Sequence, residues 1–195
     1  MTATVQRFDV AALPATPWKN GGGSTREVAC WPAGAGFDEF LWRVSIASIA
    51  ASGPFSRFAG VDRVITLLDG DGVLLQGQGV DHRLDRPLAP FAFRGDVALD
   101  CTLLGGACSD FNVMTRRGRL RAELQVLHAG AALPAAPHGL LLAWRGAWRG
   151  AWRASGQLLA SGRGLWWADA PQAWTLSTND TDAALLAVLW HQETP

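Results

Sequence analysis

The chain has 195 residues, 49% of them hydrophobic, enough to fill the core of one large β domain or two small ones. Seventeen basic residues balance seventeen acidic ones, so no net field draws the chain to nucleic acid or to a membrane surface. The three cysteines, Cys30, Cys101 and Cys108, lie far apart without a CxxC spacing, which argues against a disulfide framework or a zinc site.

The opening stretch MTATVQRFDVAALP lacks a basic region followed by a long apolar run, so no signal peptide is expected. No apolar run reaches the roughly 18 residues of a spanning helix, and a cytoplasmic protein is the expectation. Glycine and proline punctuate the chain, and the apolar runs between them are short. This rhythm predicts many strands in a sandwich or barrel rather than helices. Strands are expected at 6–9, 25–31, 40–49, 63–69, 72–77, 97–104, 111–117, 122–128, 139–144, 165–169, 173–177 and 184–191. The segment 52–62 reads as a loop, because Gly53, Pro54 and Gly60 interrupt any ladder.

In chain order, the first unusual motif is WKNGGGSTRE, residues 18–27. Lys19 is the only lysine in the chain. A phosphate loop is excluded by order: its lysine follows the glycines and a helix follows the lysine, whereas here the lysine comes first and a strand follows. A glycine turn exposing backbone N–H groups beside one ammonium remains, a suitable nest for a carboxylate. The alternative is a tight turn with Lys19 in solvent.

Polar residues then recur at alternate positions inside apolar strands. Thr25 and Glu27 share a face, as do Arg43 and Ser45; Arg63 heads a very apolar strand; Asp110, Asn112, Met114 and Arg116 share a face. Such faces are either solvated or, turned inward, line a barrel lumen suited to a small anion. The pattern leaves both open. The basic run RRGRLR (116–121) is too short to signal nucleic acid and reads as a solvated strand edge or linker. None of the four histidines forms an HxH, HxxxH or HExxH spacing, so no metal site is expected; there is also no GxSxG.

The repeat AWRGAWRGAWRA (143–154) predicts strand, glycine turn, strand, with tryptophan toward the core and arginine toward water. RVITLLDGDGVLLQG and LLLAWRGAWRGAWRASG share a rhythm of strand, glycine turn and strand, which suggests two similar β-barrels in tandem.

WKNGGGSTRE, WRVSIA with SGPFSRFAGVDRVITLLDG, and DFNVMTRR together resemble the HutD/Ves family in order and spacing, over roughly residues 17–117. The resemblance implies an all-β bicupin, with an N-terminal barrel at about 1–121 holding the ligand pocket and a C-terminal barrel at 122–195, packed into one unit. It also implies an accessory or regulatory role in histidine utilisation, with formylglutamate or urocanate as proposed ligand, or a stress-related role of the Ves type. It brings no cofactor and no established catalysis. Metal-binding cupins carry HxH and a glutamate in their first motif and a further histidine in their second. The matching stretches here offer Phe55, Ser56, Arg57, Phe58 and Arg63, then Arg94 and Asp96, and no histidine.

The family's signature positions fall on Lys19, Asn20, Thr25, Glu27, Arg43, Ser45, Phe55, Ser56, Arg63, Asp110, Asn112 and Met114. In the leading reading Lys19, Arg43 and Arg63 neutralise a small anionic metabolite, and Asn20, Ser45, Ser56 and Asn112 orient it. Glu27 and Asp110 then orient the basic groups or pair with an amide or amine of the ligand. The alternatives are a metal-free isomerase or hydrolase with Glu27 or Asp110 as base, and an interaction module using the ten tryptophans. A homodimer is compatible with each.

Overall fold

The structure is a computed structural model that describes residues 5–152 and 155–193. Arg153 and Ala154, the last two residues of the AWRG repeat, lie outside the described residues. Apart from one short 3₁₀ turn, Val10–Ala12, the described regular elements are strands.

The chain divides into two units. Pro14–Leu120 forms one; Arg121–Pro195 together with Met1–Leu13 forms the other. The expected N-terminal half beginning at residue 1 therefore loses its first strand. β1 (Gln6–Asp9) pairs antiparallel with Trp166 to Arg163 on β17 (Arg163–Trp167).

In the first unit a six-stranded sheet runs β2 (Ala15–Pro17), β3 (Gly23–Trp31), β4 (Trp42–Ile49), β11 (Cys108–Arg116), β6 (Val61–Asp69), β9 (Pro90–Arg94). A four-stranded sheet runs β5 (Gly53–Phe55), β10 (Leu99–Leu103), β7 (Val73–Gly77), β8 (Val80–Leu84). The two sheets share a core of Ile49, Ile65 and Leu67 from the larger and Val73, Leu75, Leu84, Leu99 and Cys101 from the smaller. The expected loop at 52–62 is thus partly strand. Pro54 is accommodated because β5 is an edge strand, where a missing N–H breaks no ladder.

The second unit has a five-stranded sheet, β1, β17, β14 (His138–Arg145), β19 (Ala184–Gln192), β12 (Leu120–Leu127). Its other sheet is four-stranded, β13 (Ala131–Ala136), β18 (Gln172–Ser177), β15 (Trp148–Trp152), β16 (Ser155–Leu159). The AWRG repeat spans β14 and β15, with its turn at Gly146 in the left-handed region at φ +74°. Gly150 is not a turn but lies inside β15, where a Cβ would come 3.1 Å from Trp174. Trp148 is fully buried in the core with Trp167 and Trp174, while Arg145 and Arg149 are exposed.

Candidate functional site

The inward-or-outward question for the polar faces has a structural answer: Ser45, Arg63, Asp110 and Asn112 are each 5% exposed or less. Cross-strand register groups them. One row runs Glu27, Ser45, Asn112, Ile65. A second runs Cys30, Arg43, Met114, Arg63, Phe93. A third runs Thr25, Ala47, Asp110, Leu67. Two irregularities border this surface: β3 shifts register between Glu27 and Ala29, and the β11–β6 pairing shifts between Ser109 and Asp110. Bulges of this kind re-aim side chains, and here each falls beside one of the two acids.

Arg63 is the centre of the cluster. Its Nε and Nη2 both donate to Asn112 Oδ1 at 3.2 Å, and its Nη1 donates to the Ser56 carbonyl at 3.1 Å. The guanidinium stands over the rings of Phe55, Phe58 and Phe93 at 4.6, 5.4 and 5.0 Å. Aromatic faces hold a cation electrostatically and exclude water. A guanidinium has five N–H donors, so one N–H on each terminal nitrogen remains for a further acceptor. Burial lowers the Arg63 pKa to about 10, against the opposing pull of Asp110.

Asp110 lies two rows from Arg63, with the Asn112 row between them, and both its carboxyl oxygens are buried without a hydrogen-bond partner. Burial raises its pKa to about 7, and the nearby positive charge of Arg63 offsets only part of that. Its oxygens are therefore the unsatisfied acceptors of the cluster, a state that costs a fold free energy unless something else meets them.

The more exposed part carries the second charged pair. Arg43 Nε donates to Glu27 Oε2 at 2.7 Å, with the Glu27 side chain half exposed. Arg43 lies over the Phe37 ring at 5.2 Å, and Phe37 packs on Phe58 at 5.6 Å. Two loops carry these aromatics, and Arg116 ties them together by donating to the carbonyls of Phe37, Phe40 and Ala59. Arg117 bridges Asp62 and Asp96, and Asp96 in turn accepts from the Gly60 N–H. That backbone bond, then the arginine bonds, hold the Asp96 pKa down at about 2. Two of the four arginines in RRGRLR thus fasten loops instead of lying solvated.

The remaining expected positions fall as follows. Trp18 to Gly23 is a tight hairpin: Trp18 N donates to Gly23 O, Gly21 N to Trp18 O, and Asn20 Oδ1 accepts from Gly22 N. Gly21 takes φ +71°, and a Cβ at Gly23 would meet the Ser48 carbonyl at 2.2 Å. Asn20 therefore shapes the turn. Thr25 accepts from the Trp18 indole at 2.8 Å. Lys19 is exposed at the turn and makes no hydrogen bond or ion pair with a described residue. Met114 is buried against Cys30, Phe40 and Val61. Sequence reasoning missed Phe93, Phe37 and the role of Arg116. The alternation of Phe91 and Phe93 in PFAFR was the available signal for the first; the second sits in an irregular loop and left none.

A metal does not fit this cluster. Arg63, Asn112 and Ser45 occupy it, and among the described residues no group of three or more His, Cys, Asp or Glu could hold an ion. Two surface depressions lie elsewhere. One of about 530 Å³ is lined by Arg145, Ser161, Asp180 and Asp182. One of about 170 Å³ lies beside it, near Arg149 and Leu158. Three of their charged groups are already used: Arg145 pairs with Asp182, and Asp180 accepts from Ala147 N. The Arg63–Asp110 cluster differs from them in that its unmet acceptors are buried.

Comparison with known proteins agrees with this architecture. The chain is 37% identical over 188 residues to the Protein Ves of Citrobacter koseri, covering 95% of each. It is 51% identical over 115 residues to an uncharacterised 21.2 kDa protein in the hutC 3′ region of Pseudomonas putida, covering 57% of this chain and 58% of that one. The solved structure of HutD from Pseudomonas fluorescens SBW25, in a formate condition, superposes with TM-score 0.82 at 32% identity, covering 98% of this chain and all of that one. A salicylate 1,2-dioxygenase from Pseudaminobacter salicylatoxidans, at 8% identity and TM-score 0.66, shares the cupin-type fold alone. The HutD family profile matches residues 10–186, and with the fold, the motifs and these relatives in agreement, the chain belongs to the HutD family.

Proposed function

We propose that the protein binds a small carboxylate metabolite on the inward polar face of Pro14–Leu120, as an accessory or regulatory component of histidine utilisation. The observation that carries this reading is Arg63, buried in three phenylalanine rings with an N–H left on each terminal nitrogen, beside an unpartnered Asp110. A guanidinium so placed is preorganised for a carboxylate. Ser45 and Asn112 flank it as polar contacts, and Arg43 and Glu27 form the more exposed edge. The HutD name of one relative, and the hutC neighbourhood of another, favour an intermediate of histidine breakdown such as formylglutamate or urocanate.

Thermal denaturation with formylglutamate, urocanate, formiminoglutamate, glutamate and histidine tests this. A compound at about a hundred times its Kd stabilises the fold by roughly 2.7 kcal/mol, a shift of about 5–10 °C for a chain of this size. The expected result is a selective shift that Arg63→Met removes. Lys19→Ala separates a direct role of the exposed lysine from a purely steering one. Absence of any shift overturns the reading.

A second reading is favoured by Asp110 alone. A buried carboxyl titrating near neutrality suits a general base. Turnover of one of these compounds by metal-stripped protein, lost in Asp110→Asn, would establish an enzyme. Glu27 is the weaker candidate, being half exposed and paired with Arg43.

A further inference from the structure

We infer that the site takes up its carboxylate ligand together with one proton, which Asp110 holds. The inference rests on the metabolite-binding reading above and concerns what else must bind for that reading to work.

Charge and hydrogen-bond geometry lead to it. Four charged side chains belong to the cluster: Arg63 from β6, Asp110 from β11, Arg43 from β4 and Glu27 from β3. Arg43 and Glu27 neutralise each other at 2.7 Å. That leaves Arg63 and Asp110, which sum to zero when both are ionised. A carboxylate entering beside them would bring the buried cluster to a net negative charge, and a buried uncompensated charge is strongly disfavoured. With Asp110 protonated, Arg63 is the single positive charge and matches one carboxylate.

The bonding capacity points the same way. An ionised Asp110 only accepts, and so does the incoming carboxylate; side by side they repel. A protonated Asp110 has one O–H to donate, and both of its oxygens are free of protein partners. The remaining N–H groups of Arg63 and this O–H then supply donors to the same ligand from either side of the Asn112 row. In balance, one solvent proton joins the Asp110 carboxylate, no covalent bond is made or broken in the ligand, and the proton leaves again on release. Burial has already moved Asp110 toward the neutral form in the free protein.

The other titratable groups around Asp110 do not substitute for it. Cys108 on β11 and Cys101 on β10 are buried thiols whose pKa values burial lifts to about 11 and about 12, and Cys30 on β3 is raised too. They stay neutral through the range in question. On the smaller sheet, His82 of β8 is stacked on Phe91 at 3.6 Å. β9 contributes the phenylalanines Phe91 and Phe93 to the core and no inward charge. Lys19 is exposed on its hairpin.

The test is calorimetric titration of the full chain with N-formylglutamate, which has no group of its own titrating near neutrality. It is run from about pH 6 to 8.5 in phosphate and in Tris, whose ionisation enthalpies differ. Uptake of one proton makes the binding heat depend on the buffer and weakens affinity about tenfold per pH unit once pH exceeds about 7. Asp110→Asn keeps a donor but cannot titrate; it is expected to flatten the pH slope and cancel the buffer dependence. Binding by wild-type protein with heat independent of buffer and affinity independent of pH overturns the inference while leaving the metabolite-binding reading intact. Affinity that rises with pH also overturns it and assigns Asp110 to an N–H of the ligand. No binding at any pH removes the reading for this compound and the proton coupling with it.

Discussion

A buried carboxyl beside a guanidinium ordinarily forms an ion pair, and Asp110 does not. Three of the five Arg63 N–H groups are turned to Asn112 and the Ser56 carbonyl instead. The consequence for stability has a definite sign. Asp110 has a folded pKa of about 7 against an ordinary value of 3.8. Its contribution is therefore complete below about pH 4 and is lost as pH rises to about 7. Asp110→Asn is expected to flatten that decline and to exceed the wild type by about 2 kcal/mol above neutrality, read from denaturant midpoints across pH. Gln172 of the second unit gives an independent case. It is fully buried, and neither atom of its amide has a partner. Gln172→Met, similar in shape and apolar, is expected to raise stability by about 1–3 kcal/mol, measured in urea. At this scale the sequence was half legible. Alternation in SIASI, DFNVM and STREV grouped side chains that the strand register also places on common faces. The same alternation is written by a solvated face, and only the opposing sheet, which covers Ser45, Asp110 and Asn112, separates the two. Lys19 drew notice as a compositional rarity, which is not a geometric property.

Among elements, the long apolar strands were readable because each is an apolar run set between glycine, proline or polar turn residues. Short edge strands were not: Ala15–Pro17 is exposed throughout and has no apolar pattern to read. The bulges at Glu27 and Asp110 left no mark in composition either, because a register shift depends on the partner strand. The most consequential element-level device is Arg116, whose guanidinium holds three carbonyls from two loops while its plane stands over Phe40 at 5.0 Å. Arg116→Ala is expected to cost about 2–3 kcal/mol in thermal unfolding, since several charge-assisted bonds are lost together. Amide exchange should accelerate in 35–41 and 56–60 while β4 and β11 stay protected. Arg116→Lys is expected to rescue little, because an ammonium lacks the planar fork.

For the whole chain, the tandem rhythm of strand, glycine turn and strand correctly announced two β units. It could not announce that the first strand serves the second one. QRFD looks the same wherever it pairs, and nothing local to it specifies β17 as its partner. The attachment is specific all the same: Phe8 packs so closely over Gly164 that a Cβ there would lie 2.2 Å from the ring. Gly164→Ala is expected to destabilise Arg121–Pro195 by about 1–3 kcal/mol. In hydrogen exchange, β1 and β17 should lose protection while ligand-induced stabilisation of Pro14–Leu120 is unchanged. The same pairing sets an order for synthesis. Asp9 leaves the ribosome before Pro14–Leu120, but its partner Arg163 emerges only after the whole first unit and a further stretch of chain. At about 5–20 residues per second the leading strand waits roughly 8–30 s for its place. During that interval Pro14–Leu120, whose strands pair only among themselves, can already be folded. The nascent chain would then expose β1 unpaired, and translation speed from β1 to β17 decides how long that exposure lasts.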